Sequence, residues 1–161
     1  MHYITYKSPV GRLHLTANEQ GLTALAFDAN WERVKAALGP FEKGENKILR
    51  QALRELEEYF AGKRSSFSVP LAVQGTPFLR AAWKALTRIP YGRTATYGEQ
   101  AARLGKPQAV RAVGRANGLN PVCIVVPCHR VVGASGSLTG YAGGLEAKKK
   151  LLALETRFAP R

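Results

Sequence analysis

Residues 96–118, TYGEQAARLGKPQAVRAVGRANG, carry the clearest fold signal in the chain. Thr96 is a suitable N-cap for a helix over residues 97–104, and Gly105-Lys106-Pro107 provides a turn. A second helix is predicted from about residue 108 to residue 118. Two short helices joined by a tight turn that contains glycine are typical of a helix-turn-helix motif.

The second helix of this motif has two distinct faces. One stripe is small and apolar, and we expect it to face the core: Ala109, Ala112, Val113 and Ala116. Another face combines arginine with glycine at the same spacing: Arg111, Gly114, Arg115 and Gly118. A glycine inside a helix costs about 1 kcal/mol relative to alanine. These glycines therefore indicate close approach to a negative surface, such as a phosphate backbone or a narrow groove. The alternative is close packing between helices, with solvated arginines.

The sequence around this motif predicts three further elements. Thr76-Pro77 opens a helix that ends before Pro90. Residues 122–126, VCIVV, have the composition of a buried strand. A glycine-rich loop (residues 133–144) then leads to a last helix from residue 145 to about residue 155.

The first part of the chain alternates apolar and polar residues. Residues 3–6, 13–16 and 22–27 predict three short strands separated by turns. Asn46 caps a helix whose apolar positions recur at helical spacing until Gly62.

These elements predict an α+β fold with two domains. Residues 1–75 form a small antiparallel sheet with a helix and serve as a scaffold, and residues 76–161 form a mostly helical domain. No polar groups are expected to converge into a site in the scaffold, where His2 and His14 are interpreted as ordinary strand residues.

The positive charge is concentrated in the second domain. Residues 1–75 hold ten basic and eight acidic side chains, whereas residues 76–161 hold fourteen basic and three acidic ones. This asymmetry favours a polyanion as the partner of the second domain, and nucleic acid in particular. The alternative is a generic solubilising surface.

The cysteine and histidine content excludes several classes of protein. Two cysteines, Cys123 and Cys128, do not make a disulfide framework, and three histidines provide no zinc-finger spacing. There is no signal-peptide pattern and no apolar run of membrane-spanning length. We therefore interpret the chain as a soluble, cytoplasmic protein that binds no metal and no membrane.

Residues 124–133, IVVPCHRVVG, place a thiol next to an imidazole. A thiolate is a good nucleophile, but Cys128 and His129 would point to opposite faces of a strand. Either Pro127 forces a turn or a water relays the proton between them. Glu155 lies beside the apolar stripe of the last helix and could hold the imidazole, which gives a Cys-His-Glu relay. The alternative is a cysteine that merely fills the core.

Four motifs, in order, resemble the O6-alkylguanine-DNA alkyltransferase family: Arg111-Ala112-Val113-Gly114, Asn120-Pro121, Pro127-Cys128-His129-Arg130-Val131 and Gly140-Tyr141-Ala142-Gly143-Gly144. The likeness extends from Thr76 onward, and the Pro-Cys-His-Arg signature in this setting is highly specific. It implies a ribonuclease-H-like first domain and a winged-helix-like second domain.

The resemblance implies roles for individual residues in the chemistry. Cys128 would take the alkyl group from the guanine O6, and His129 would act as a base through water with Glu155 behind it. Tyr97 would donate its phenolic proton to the guanine ring nitrogen. Tyr97 as an ordinary core tyrosine is the alternative.

The resemblance also implies how DNA would be bound. Arg111 would enter the duplex through the minor groove and fill the gap left by a flipped nucleotide, although it could instead contact only phosphate. The rest of its face, Gly114, Arg115 and Gly118, would approach the DNA. Asn120 would belong to the hinge between this helix and the segment that carries the cysteine.

The base pocket is also assigned by resemblance. The carbonyls of Cys128 and Val131 would read the guanine amino group, and Tyr141, Ala142 and Gly143 would cover the base. Because Ala142 has no hydroxyl, its contact to O6 would come from the backbone N–H.

Three other positions carry expectations. Gln100 stands where the family commonly has an apolar residue, so we expect different packing there. Cys123 is expected to have a packing role. The run Lys148-Lys149-Lys150 is interpreted as a solvated face, with phosphate contact as the alternative.

The implied function is direct, irreversible and stoichiometric repair of O6-alkylguanine in duplex DNA by a monomer without a cofactor. Activity on O4-alkylthymine, the range of alkyl groups and cooperative assembly on DNA stay open. Three alternatives are a lesion-binding protein without chemistry, a helix-turn-helix regulator and a Cys-His hydrolase. The presence of Cys128 disfavours the first of these, because such members replace the acceptor cysteine.

Overall fold

Residues 1–160 are described by the computed structural model, and their contacts divide them into two units. The first unit holds Met1–Val73 together with Pro121–Val125, and the second holds Gln74–Asn120 together with the chain from Val126 onward. The predicted α+β class is confirmed, with a sheet in the first unit and most helices in the second. The division of roles between residues 1–75 and 76–161 stays a prediction.

The first unit is built on a four-stranded sheet with the order β3-β2-β1-β4. Its strands are β1 (His2–Ser8), β2 (Gly11–Ala17), β3 (Leu22–Phe27) and β4 (Glu42–Lys43). The first three form an antiparallel meander, and β4 pairs in parallel with β1 at one edge. The three predicted strands are confirmed, and β1 and β2 extend beyond the predicted bounds.

Two helices, α1 (Asp28–Ala36) and α2 (Lys47–Phe60), pack on this sheet. The Asn46 side chain accepts a hydrogen bond from Leu49 N at 2.9 Å, which caps α2 as predicted. The sequence did not predict α1. Its apolar face is small, because Trp31 and Val34 are its only large apolar residues that are buried.

Residues 121–125 join the first sheet by a single bridge. Leu25 N donates to Pro121 O at 2.8 Å, and Cys123 N donates to Leu25 O at 2.9 Å. The backbone then turns at Ile124, whose φ of +71° is rare for a β-branched residue. The predicted strand over residues 122–126 is therefore wrong. Its apolar composition indicated burial, which all of these residues except Val125 have, and not an extended conformation.

The second unit contains four helices and a short two-stranded parallel sheet. Its elements are α3 (Pro77–Leu86), β5 (Ala95–Thr96), α4 (Tyr97–Arg103), α5 (Val110–Gly118), β6 (Val131–Val132) and α6 (Leu145–Phe158). The Thr76 hydroxyl accepts from Leu79 N at the start of α3. Thr96 and Glu99 form a capping box at the start of α4. The helices are thus confirmed, and α6 extends three residues beyond the predicted end.

The helix-turn-helix pair of α4 and α5 is locked by a buried pair of amides. Gln100 Nε2 donates to Asn117 Oδ1 at 2.9 Å, and Asn117 Nδ2 donates back to Gln100 Oε1 at 2.8 Å. Gln100 Nε2 also reaches Ala82 O on α3 at 3.2 Å. Gln100 therefore packs through a polar contact that ties three helices together, since a buried amide needs such partners.

Candidate active site

Cys128–Arg130 forms a single 3₁₀ turn between α5 and β6. Pro127 precedes it with φ −83° and ψ 64°, and Arg130 N donates to Pro127 O at 3.0 Å. The structure thus adopts a turn at this proline, which was one of the two possibilities that the sequence left open, and this turn leaves room for the other, a water that relays the proton. In a turn, side chains of successive residues are not forced to opposite faces as they are in a strand.

The Cys128 sulfur has a hydrogen-bond donor beside it. Asn120 Nδ2 lies 3.3 Å from Cys128 Sγ and also donates to Val126 O at 2.9 Å. The amide therefore contacts both the first residue of the turn and the segment just before it. Asn120 and Cys128 are both buried. A donor directed at sulfur favours the thiolate over the thiol.

His129 and Glu155 form a buried pair. His129 Nε2 lies 2.7 Å from Glu155 Oε2, and the two residues are 0% and 1% exposed. Because a carboxylate only accepts, Nε2 carries the hydrogen. Burial lowers the pKa of His129, although its bond to Glu155 opposes this, so the imidazole is neutral at pH 7. Its Nδ1 is then a bare acceptor, and it has no hydrogen-bond partner within residues 1–160.

Arg130 completes this cluster. Its Nε and Nη2 donate to the two oxygens of Glu155 at 2.8 and 3.1 Å, and its Nη1 donates to Ile89 O at 2.8 Å. Hydrogen bonds from His129 and Arg130, together with the charge of Arg130, outweigh burial and lower the pKa of Glu155 to about 2. Sequence reasoning assigned Arg130 no partner. The sequence did contain a signal that Arg130 has such a partner. It is the single arginine within the apolar run of residues 124–132, and a buried guanidinium requires a carboxylate.

Tyr97 lies at the first position of α4 and contacts the glycine-rich loop. Its hydroxyl is 3.0 Å from Thr139 Oγ1. A Cβ added at Gly114 of α5 would lie 3.7 Å from the Tyr97 ring. This glycine therefore faces α4, which fits the packing alternative at this position, whereas Gly118 has open space around it.

Helix α5 presents its arginines outward. Arg111, Arg115 and Gly118 are exposed, and the buried positions are Val113, Ala116 and Asn117. The predicted core stripe is wrong at Ala112, which is exposed, because the helix turns Asn117 toward Gln100 instead. Arg111 and Arg115 line a groove of about 520 Å³ between α3 and α5, together with apolar residues that include Phe78 and Leu119.

The residues assigned to a base pocket lie on β6 and on the glycine-rich loop. Val131 is buried and pairs with Ala95 of β5. Tyr141, Ala142 and Gly143 are half-buried. The Tyr141 ring meets the His129 ring edge-on, with 6.4 Å between centroids, so this part of the loop lies next to the Cys128–Arg130 turn.

The lysine run at the start of α6 differs from the sequence interpretation. Lys149 and Lys150 are exposed, but Lys148 is 0% exposed and its Nζ donates to Thr139 O at 3.1 Å. The prediction of a solvated face is therefore wrong at Lys148. Because the three residues are identical, the sequence gives no indication of which lysine side chain is buried.

Two general features of residues 1–160 bear on cofactors and membranes. No group of three or more His, Cys, Asp or Glu side chains comes together there as a metal ion would require. No helix in this range combines the length and the apolar composition needed to cross a bilayer.

Two family models match nearly the whole chain. The ribonuclease-like domain of 6-O-methylguanine DNA methyltransferase matches residues 1–73, and the DNA binding domain of the same family matches residues 77–157. The methylated-DNA–protein-cysteine methyltransferase of Methanosarcina barkeri is 50% identical over 156 residues, which are 96% of this chain and 97% of the relative.

Solved structures show the same likeness. The O6-methylguanine methyltransferase of Mycobacterium tuberculosis has a TM-score of 0.87 and 46% identity, over 99% of this chain and 94% of that one. A structure of Mycobacterium tuberculosis OGT in complex with DNA has a TM-score of 0.87 and 44% identity, over 99% and 96% of the two chains.

Proposed function

The chain belongs to the 6-O-methylguanine DNA methyltransferase family, and we propose that Cys128 is its alkyl acceptor. The function of this family is DNA repair by transfer of the alkyl group to a cysteine of the protein itself. One observation carries the assignment of the acceptor. Cys128 directly precedes a buried histidine whose Nε2 is held by Glu155 at 2.7 Å and whose Nδ1 has no partner within residues 1–160.

The proposed reaction begins with a proton transfer. The bare Nδ1 of His129 accepts the thiol proton of Cys128 through a water, and Glu155 stabilises the imidazolium that results. Asn120 Nδ2, at 3.3 Å, stabilises the sulfur anion, in addition to belonging to the hinge before the turn.

The second step is an in-line displacement. The thiolate attacks the alkyl carbon, the bond from this carbon to the guanine O6 breaks, and the electron pair remains on the base. The Tyr97 hydroxyl donates a proton to a guanine ring nitrogen, which neutralises the leaving base. The thioether has no route back to the thiolate, so one molecule repairs one lesion and is spent.

The damaged nucleotide has to leave the base stack before sulfur can reach it, at a cost of a few kcal/mol. We assign Arg111 to the gap that it leaves, with approach through the minor groove, and Arg115 and Gly118 to contacts with the DNA backbone. These residues are exposed, and the fourteen basic side chains of residues 76–161 supply the charge. Gly114 supports this role indirectly, because it seats α5 against Tyr97.

The flipped base is assigned to the space between β6 and the glycine-rich loop. In this proposal the carbonyls of Cys128 and Val131 read the guanine amino group. Tyr141, Ala142 and Gly143 cover the base, with the Ala142 N–H directed at O6. The edge-on contact between Tyr141 and His129 supports this placement, since it keeps the loop beside the Cys128–Arg130 turn.

The protein is further proposed to act as a monomer, without a cofactor, in the cytoplasm. A thiol acceptor works only while it is reduced, and this favours a reducing compartment. The reaction itself needs no group besides the protein side chains and the damaged base.

The experiment uses duplex DNA that carries O6-methylguanine with a labelled methyl group. We expect label on the peptide that contains Cys128, up to one equivalent per protein. Cys128→Ser should take up none, and Cys123→Ala, which changes the other buried cysteine, should take up one equivalent. Label on another peptide, or many turnovers per molecule, would overturn the assignment. Binding of the lesion without transfer would instead support a lesion-binding protein.

A further inference from the structure

The hydroxyl of Thr139 contacts the proposed general acid, Tyr97, and has no role in the proposed reaction. Thr139 lies half-buried in the glycine-rich loop, with its Oγ1 3.0 Å from the hydroxyl oxygen of Tyr97. Within residues 1–160 this is the one side-chain hydrogen bond of either residue. The two residues are 42 positions apart in the sequence, so only the folded chain brings them together.

The two parallel strands of the second unit bring this pair of hydroxyls together. Tyr97 directly follows β5, and the glycine-rich loop begins at Gly133, directly after β6. Thr96 of β5 pairs with Val132 of β6 in parallel, so the chain leaves both strands at the same edge of this sheet. The pairing of the strands therefore places the start of the loop next to the tyrosine.

Both side chains have further contacts that hold them in position. The Thr139 carbonyl accepts a hydrogen bond from Lys148 Nζ at 3.1 Å. The Thr139 methyl group lies close to Gly133, where an added Cβ would come within 3.4 Å of Cγ2. The Tyr97 ring packs against Gly114 of α5, at 3.7 Å from the position of an added Cβ. The two hydroxyls thus belong to side chains that are fixed from other sides, which defines their mutual position.

The direction of this hydrogen bond is determined by the proton transfer that Tyr97 performs. A phenol that gives its proton to a guanine nitrogen keeps the electron pair of its O–H bond, and its oxygen can then only accept hydrogen bonds. Thr139 is then the donor. A hydroxyl that donates to a developing oxyanion forms a charge-assisted bond, which is stronger than a bond between two neutral groups. When Thr139 already donates before the transfer, the phenolic hydrogen is also left free for the base.

We propose that Thr139 is a positioning residue for alkyl transfer: its hydroxyl donates to the Tyr97 oxygen and directs the phenolic proton to the leaving base. This inference rests on the proposed function, in which Tyr97 is the acid. The proton of the Thr139 hydroxyl is not itself transferred. The phenolate takes up a proton from water after the base has left, and the proton that His129 releases to water balances it.

The test compares Thr139→Val, which has a similar shape but no hydroxyl, with Thr139→Ser, which keeps the hydroxyl. Single-turnover methyl transfer is measured with duplex DNA that carries O6-methylguanine. We expect Thr139→Val to lower the rate about tenfold, because the transition state loses a charge-assisted hydrogen bond. Thr139→Ser should stay close to the parent rate. Ser137→Ala, which removes an exposed hydroxyl from the same loop, should keep the parent rate.

A double-variant cycle shows whether the Thr139 hydroxyl acts through Tyr97. Tyr97→Phe removes the phenol and should lower the rate by about 100-fold or more. In that background Thr139→Val should cause no further loss, because the oxygen that receives the hydrogen bond is gone. The affinity for the lesion, measured in a Cys128→Ser background, should be the same with Thr139 and with valine at this position, since the hydroxyl acts on proton transfer and not on binding.

A parent rate in folded Thr139→Val would overturn the proposal, and so would equal losses in Thr139→Val and Thr139→Ser. An undiminished effect of Thr139→Val in the Tyr97→Phe background would overturn it as well, because the hydroxyl would then act elsewhere. If Thr139→Val does not fold, Thr139→Ala and Thr139→Ser provide the same comparison. A failure of the proposed function is seen separately, as absence of methyl on Cys128 in the parent, and a failure of its acid as a parent rate in Tyr97→Phe.

Discussion

His14 in the first unit and His129 in the second make the same primary contact but have different surroundings. Each is buried and places Nε2 against a carboxylate, at 2.6 Å from Asp28 Oδ1 and 2.7 Å from Glu155 Oε2. The Nδ1 of His14, however, meets the Tyr3 hydroxyl at 2.8 Å, and its ring stacks on Trp31 at 4.8 Å. The Nδ1 of His129 has no partner within residues 1–160.

The carboxylates differ as well. The Asp28 side chain is 56% exposed and also pairs with Arg12, whereas Glu155 is 1% exposed and accepts from two nitrogens of Arg130, Nε and Nη2. A histidine-carboxylate pair is therefore no sign of chemistry by itself. What distinguishes His129 is a second nitrogen without a hydrogen-bond partner within residues 1–160, in the residue that directly follows Cys128.

The largest effect is expected from Glu155→Gln. The change leaves the guanidinium of Arg130 buried without its counter-charge, which costs about 3–5 kcal/mol. We also expect loss of methyl transfer, because the histidine loses the carboxylate that orients it. Denaturant unfolding and single-turnover transfer measure the two effects. A loss below about 1 kcal/mol would contradict the description of this carboxylate as the centre of a buried ion cluster.

The next largest effect separates the two histidines directly. His129→Gln removes the proposed base and should lower the rate of methyl transfer by about 100-fold or more. His14→Gln should leave the rate per folded molecule unchanged, since both nitrogens of this ring serve structure. The rates are compared in single-turnover experiments and are normalised to the amount of folded protein in each preparation. Equal losses in the two variants would refute the distinction.

A smaller effect is expected on the pH dependence of stability. Burial lowers the pKa of His129 in the folded protein. The unfolded chain therefore binds a proton at this histidine near pH 6.5, whereas the folded chain binds it only at lower pH. The free energy of unfolding should therefore fall as the pH is lowered from 7 to 5. His129→Gln should flatten this part of the curve.

Glu155 contributes at lower pH, with the same sign. Its pKa is about 2 in the folded protein, so its contribution is complete above its ordinary pKa near 4.5 and is lost as the pH falls toward 2. Stability that rises between pH 7 and pH 5 would contradict a neutral His129.

The smallest effect is expected from Asp28→Asn. This carboxylate is exposed, and its bond to His14 lowers the pKa of Asp28, but solvent screens the charges. We expect an unfolding midpoint close to that of the parent and unchanged methyl transfer. A destabilisation as large as that of Glu155→Gln would remove the contrast between the two carboxylates.

The sequence predicted those elements whose signals are local. Thr76, Thr96 and Asn46 each accept a hydrogen bond at the helix start where the sequence placed a cap. The predicted strand over residues 122–126 was wrong because an apolar run indicates burial only. The chain turns at Ile124, whose φ is +71°.

The residues of the candidate site could be proposed from the sequence, but their contacts could not. Cys128, His129 and Glu155 were found from nucleophile chemistry and from a carboxylate on an apolar stripe. The bond from Asn120 to the sulfur and the inward turn of Lys148 depend on tertiary packing, which leaves no periodic signal. The polar contacts of His14 could not be predicted for the same reason, since Tyr3 and Asp28 are distant from it in sequence and contact it only in the folded chain.

The protonation of the two rings at pH 7, measured by long-range ¹H–¹⁵N NMR of labelled histidine, tests the account most directly. We expect His129 to be neutral, with hydrogen on Nε2 and a bare Nδ1 whose signal shifts when Cys128 is methylated, whereas the signals of His14 do not move. A charged His129, hydrogen on its Nδ1, or a ring that ignores methylation of the sulfur would contradict a base prepared to take the thiol proton.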